Sequence, residues 1–105
     1  MMERPLDMRE PPECPRCGST YLHQEKVIVY ARSREDSSIV DRVAVDQYNG
    51  EVEVSQEPAE YSPSPRRHGL RVQFMCEECS SEHGPVYWAM WQHKGQTFCE
   101  WEGIK

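Results

Sequence analysis

Two Cys-x-x-Cys pairs, Cys14-Pro15-Arg16-Cys17 and Cys76-Glu77-Glu78-Cys79, carry the most specific chemistry in this sequence. A two-residue spacer lets a tight turn aim both sulfurs of a pair at one point, and two such pairs can close a tetrahedral shell around one ion. Thiolate softness points to zinc, which holds sulfur at about 2.3 Å. Gly18 follows the first pair directly, where a metal knuckle often needs a backbone conformation that costs other residues energy. A shell of Cys14, Cys17, Cys76 and Cys79 leaves no position open for water or substrate, so the zinc would be structural. Were His23 or His83 to replace one thiolate, the site would still be closed. Two other chemistries use the same residues: a pair of disulfides, or a redox dithiol. The redox motif belongs in a βαβ setting, which the strand-rich pattern described below does not supply.

A fifth cysteine, Cys99, falls on a strand pattern beside Thr97 and Trp101, and reads as a small hydrophobe packed in the core. Arg66, Arg67, His68 and Arg71 form the best candidate binding patch. Arginine forks suit phosphate or carboxylate, and neighbouring prolines would hold the loop extended. The competing reading has these arginines paired with an acidic hairpin, Asp41–Glu53, of the same chain. His93 and Lys94 at a hairpin tip could add to a basic surface, although any hairpin turn favours polar residues. Tyr87, Trp88, Trp91, Phe98 and Trp101 could stack on exposed bases, but in a small β protein they serve first as core. Catalysis through His68 or His93 with a carboxylate finds no supporting motif, and the chain reads as a non-enzyme.

The elements that must position these residues are strands. Lys26–Ala31 within Tyr21–Arg32 is rich in β-branched and aromatic residues. Val43, Val45, Val52 and Val54 alternate with polar residues on either side of Asn49-Gly50, which predicts a hairpin of Ile39–Tyr48 with Glu51–Gln56 and both turn residues at positive φ. Glu57–Gly69, with Pro58, Pro63 and Pro65, predicts an extended loop. Leu70, Val72, Phe74 and Cys76 share one face of a strand that runs into the second Cys pair. Pro85–Gln92 and Gln96–Glu102 flank His93-Lys94-Gly95 as a second hairpin, with Gly95 at the left-handed position. Trp88 and Trp91 fall on opposite faces. No segment shows a capped 3.6-residue period, so few or no helices are expected.

A knuckle, strands, a second knuckle and a closing hairpin together resemble the zinc-ribbon family. Ser62-Pro63-Ser64-Pro65-Arg66-Arg67-His68-Gly69, Phe74-Met75-Cys76-Glu77-Glu78-Cys79 and Gln92-His93-Lys94-Gly95-Gln96-Thr97-Phe98 are similar to segments of small uncharacterised zinc-ribbon proteins of bacteria and their phages. The likeness spans Cys14 to Trp101 and implies a mostly β fold in which antiparallel strands pack beside one structural Zn2+. It implies no activity. Residues 18–75 separate the knuckles, far more than the 15–20 of a compact two-pair module. An inserted β-hairpin and proline-rich loop at about 35–69 account for the difference. Residues 1–13 read as a flexible lead-in, and 14–105 as one domain.

Bulk composition agrees with a small stapled fold. With 105 residues, 37% hydrophobic and 29% charged, a bare core would be thin, so the metal should be a folding requirement. The net charge of −6 is uneven: Glu35–Glu60 holds eight acidic residues against Arg42 alone. Such a balance opposes non-specific nucleic-acid binding, which depends on neutralising phosphates. Acidic residues on outward strand positions also guard sheet edges, the simpler account of this run. No stretch approaches the roughly 20 apolar residues of a membrane span, and Met1–Asp7 lacks the apolar run of a secretory signal. Five cysteines without a signal favour a reducing compartment, the cytoplasm. The expected function is a metal-stapled platform for a protein partner. The alternative is a nucleic-acid-binding zinc ribbon using Arg66–Arg71 and exposed aromatics.

Overall fold

The computed structural model describes residues 11–32, 34, 36–64 and 68–102. The expected lead-in therefore falls largely outside the described residues, and Arg66 and Arg67 fall outside them too. The chain is mostly β. Strands β1 (Leu22–Ala31), β2 (Ile39–Asp46), β3 (Val52–Pro58), β4 (Gly69–Cys76), β5 (Val86–His93) and β6 (Gln96–Glu102) form one antiparallel sheet in the order β3-β2-β1-β4-β5-β6. A single helical turn, α1 (Ser80–His83), and a 3-10 turn, Ala59–Tyr61, complete the regular structure. Among the described residues no helix is long and apolar enough to cross a membrane.

The alternation of apolar and polar residues sorts cleanly onto two faces. One face carries Ile28, Tyr30, Val40 and Ala44, all buried, with Arg42, Arg71, Tyr87, Ala89 and Trp91 at matching register positions. The link from β3 to β4 must cross from the sheet edge past β2 and β1, and it does so over this face. Ala59 packs on the Ile28, Tyr30, Val40, Ala44 group. The hydroxyl of Ser64, itself fully buried, donates to the Gln92 carbonyl at 3.0 Å. Gly69 lets the crossover come this close: a Cβ there would lie 2.7 Å from Pro63 Cγ and 3.2 Å from the Met90 carbonyl oxygen. Part of the expected loop is thus ordered structure, with β3 running on to Pro58 and the 3-10 turn after it.

Arg71 locks the same face. Its Nε and Nη2 donate to the two Glu102 carboxylate oxygens at 2.5 and 3.0 Å. Its Nη1 donates to the Tyr30 hydroxyl at 2.9 Å and the Tyr61 carbonyl at 2.7 Å. One guanidinium therefore joins β4, β6, β1 and the crossover, and it lies 5.2 Å from the Tyr30 ring centre.

The opposite face carries Val27, Val29, Val43, Val45, Val52, Val54, Leu70, Val72, Trp88, Met90, Cys99 and Trp101 in register. Between Gln24 and Lys26 the β1–β4 register slips at a bulge. The extra residue, Glu25, keeps Leu22 and Val27 on one face, which simple alternation would have separated. Trp88 and Trp91 do fall on opposite faces, each half-buried: Trp88 meets Trp101 edge-on at 5.1 Å, and Trp91 stacks on Phe98 at 5.9 Å. Cys99 is a correction. It shares its face with Thr97 and Trp101 as expected, but it is exposed, because β6 is an edge strand with no layer over it among the described residues.

Both hairpins form, with Gly95 left-handed as expected, but the turns differ from expectation in detail. Between β2 and β3, Gly50 has φ 77° while Asn49 does not reach positive φ. The Asp46 carboxylate accepts the Tyr48 N–H at 2.9 Å, and the Asp46 carbonyl accepts the Gly50 N–H at 2.7 Å. With this helical bend at residues 47–49, a five-residue loop, 47–51, replaces the two-residue Asn-Gly turn. Between β5 and β6 the turn is only Lys94-Gly95, with φ 53° and 79°, and His93 belongs to the strand.

Substituting Gly69→Ala should lower stability by about 1–3 kcal/mol, because neither the Pro63 ring nor the Met90 backbone can yield cheaply. A urea midpoint measured against the native chain checks this. Arg71→Ala should cost about 2–3 kcal/mol, and Arg71→Lys should recover only part of it, since an ammonium cannot reproduce the fork.

Candidate metal centre

Pairing of β1 with β4 places Leu22 opposite Cys76. The entry to β1 and the exit from β4 thus meet at one end of the sheet, and both Cys pairs lie there. The first knuckle is closed by the Gly18 N–H donating to the Cys14 carbonyl at 2.8 Å and the Cys14 N–H donating to Ser19 at 2.7 Å, with Gly18 at φ 83°. The second is closed by the Cys76 N–H donating to Ser80 Oγ at 2.8 Å, and by the Glu82 and His83 N–H groups donating to the Cys79 carbonyl. The Glu77 N–H donates across to the Tyr21 carbonyl at 3.0 Å and ties the two knuckles together.

Arg16 makes a second tie that sequence reasoning passed over. Lying between the first two cysteines, it donates to the His83 carbonyl at 2.6 Å and to the Gly84 carbonyl, at the end of α1. An arginine inside a Cys-x-x-Cys pair could have suggested this, because a helix end presents carbonyls that lack partners. Leu22, Phe74, Val86 and Trp101 pack against Cys14, Cys76 and Cys79 and seal one side of the site.

The four sulfurs lie within 4.8 Å of one another, with Cys14 to Cys79 and Cys17 to Cys76 both at 3.6 Å. A regular tetrahedron with about 2.3 Å metal–sulfur bonds has sulfur–sulfur edges of about 3.8 Å. The geometry therefore fits one tetrahedral ion, and all five cysteines are free of disulfides. Cys14, Cys76 and Cys79 are buried, and Cys17 is exposed. Without a cation the group is electrostatically frustrated. Burial, with Cys14 alongside, pushes the Cys79 thiol up to about 12. Cys14 is also penalised by burial but comes down to about 6, because the Arg16 and Cys17 N–H groups point at its sulfur. Four adjacent thiolates need a positive charge among them.

Neither histidine considered as a substitute ligand joins the site. His23 Nε2 pairs with Glu77 at 2.5 Å, and His83 Nε2 lies 3.8 Å from Glu82. Of the expected basic patch, the described members His68 and Arg71 are each engaged inside the molecule. Arg71 is committed to Glu102, not to the acidic hairpin; there Arg42 pairs with Glu53 and Glu57 at 3.7 and 3.3 Å. His68 accepts the Arg32 N–H on Nδ1 at 3.2 Å. His93 is half-buried at the end of β5, and Lys94 is exposed in the turn. A cavity of about 750 Å³ beside the crossover is lined by Lys26, Tyr30, Tyr61, Arg71, Tyr87 and Glu102 among others, and Arg71 and Glu102 neutralise each other within it.

Comparison of the chain with protein-family models, with curated proteins and with solved structures finds no match.

Metal analysis of the native chain should give one ion per chain. Cys99→Ser should leave that ratio unchanged and Cys76→Ser should abolish it. Arg16→Ala should keep the ion but lower stability by about 1–2 kcal/mol, through the loss of charge-assisted bonds to the second knuckle.

Proposed function

We propose that this chain is a non-enzymatic β platform for a protein partner, stapled by one structural zinc ion in the manner of a zinc ribbon. Four thiolate donors at tetrahedral spacing favour zinc among the divalent metals. Zinc bound by all four is closed to substrate, so its contribution is folding energy. A reducing compartment such as the cytoplasm would keep the thiols available to it.

The observation that carries the platform reading is the apolar sheet face, with Val29, Val52 and Val54 exposed at 42%, 60% and 73%. Contiguous exposed apolar surface of several hundred Å² marks an interaction site. Nucleic-acid binding through Arg66–Arg71 is the opposing reading. Against it stand the net charge of −6 and the guanidinium of Arg71, whose donors are spent inside the molecule.

Two measurements separate them. Immobilised, zinc-loaded chain should capture protein, itself or another, and Val54→Glu should abolish capture without changing metal content or far-ultraviolet dichroism. A single-stranded oligonucleotide should not bind at low salt; binding that falls steeply as salt rises would replace the platform with the alternative.

A further inference from the structure

The apolar face is not a scatter of valines. Following the register across the sheet, one row runs Val52, Val45, Val27, Val72, Trp88, Trp101, and the next runs Val54, Val43, Val29, Leu70, Met90, Cys99. Each row crosses all six strands without a polar residue. Among the described residues the nearest charge on this face, Asp41, lies one row further out, where its carboxylate accepts Gln56 Nε2 at 3.1 Å. The crossover covers the other face, and the metal knuckles shield only the end near Phe74 and Val86. The most extensive packing between elements is that of neighbouring strands. A sheet with one apolar face is half of a sandwich.

We propose that a second copy of this chain closes that face, so that two six-stranded sheets stack as a two-fold sandwich. The inference rests on the platform reading and names its partner. Charge recognition is absent from the rows, so the occupant must offer an apolar sheet of similar width and the same twist, which this chain itself has. Six strands about 4.8 Å apart span roughly 29 Å, and two rows about 7 Å apart make roughly 14 Å of strand length apolar. That footprint is roughly 400 Å² per copy and roughly 800 Å² in total, which makes the pair a weak dimer that forms as concentration rises through the micromolar range.

Side-chain volume selects the orientation. The β3-β2-β1 half of the rows is all valine, whereas the β4-β5-β6 half adds leucine, methionine and two tryptophans. A two-fold axis parallel to the strands, between β1 and β4, lays the small half of one copy over the large half of the other. Alternating large and small residues across facing layers is how sheets interdigitate. The axis perpendicular to the strands would set the large half against the large half and leave valine facing valine. In the chosen arrangement Cys99 on β6 faces Val54 on β3 of the other copy.

Sedimentation of the reduced, zinc-loaded chain from about 1 to 100 μM tests this. Twice the chain mass is expected, and Val29→Glu, at the centre of the face, should raise the dimer dissociation constant roughly 100-fold with sheet and metal intact. In Val54→Cys protein, a short bismaleimide should link the introduced thiol to Cys99 of the second copy, and no covalent dimer should form with Val29→Glu added. A monomer at every concentration whose Cys99 reacts freely with maleimide would overturn the dimer and leave the platform reading standing. A monomer whose Cys99 is protected would overturn both, because the chain would then cover its own face. A dimer indifferent to Val29→Glu and lacking the cross-link would place the contact elsewhere and reject the proposal.

Discussion

Four sulfurs held within 4.8 Å of one another at the junction of β1 and β4 are the constraint on which the rest of this fold depends. Two of them come from the entry to β1 and two from the exit of β4, with residues 18–75 between. Closing so long a loop costs conformational entropy before any strand pairing compensates it. One cation bound by four thiolates supplies energy on the scale of a small domain's whole stability, roughly 10–16 kcal/mol for structural zinc. It would also hold Leu22 opposite Cys76 at the start of the β1–β4 ladder, whose register shifts at the bulge between Gln24 and Lys26. The ties from Arg16 to the end of α1 and from Glu77 to Tyr21 hold the knuckles together by bonds that do not involve the ion.

From that junction the sheet grows outward in both directions and acquires unequal faces. Because β1 and β4 are neighbours, the chain leaving β3 must return across the sheet, and it can cover only one side. The covered side gains Ala59, the buried Ser64 hydroxyl and the Arg71–Glu102 pair. The other side keeps its valines, leucine, methionine and tryptophans in two unbroken rows. The acidic residues of β3 fit this division: Glu53 and Glu57 lie on the crossover side, pairing with Arg42, and leave the apolar rows uncharged. Charge at the β3 edge also discourages edge-to-edge aggregation, which a flat apolar sheet would otherwise invite.

Much of this was legible wherever a local period or a fixed spacing encodes the outcome. The Cys-x-x-Cys spacing picked out the four cysteines that the fold brings together, and the alternation of Leu70 to Cys76 assigned their common face. The failures came from interactions that local pattern does not contain. The Asp46 carboxylate bends the β2–β3 loop helically, overriding the Asn49-Gly50 signal. The bulge at Glu25 is invisible to a count of alternating residues. Burial of Cys99 was expected because an apolar strand position normally has a layer above it, and alternation tells which residues share a face but not whether anything covers that face. The β1–β4 adjacency is likewise a long-range fact, seen in the four clustered cysteines at one end and in Arg71 bridging Tyr30 to Glu102.

The central claim, that a single ion organises the sheet, is tested most directly by adding zinc back to the reduced, metal-free chain while following far-ultraviolet dichroism and amide exchange together. The sheet signal should be absent at the start, rise in proportion to added zinc and be complete at one equivalent, with protection of β1 and β4 amides appearing in the same step. A full sheet signal with protected β1 and β4 amides before any zinc is added would contradict the account.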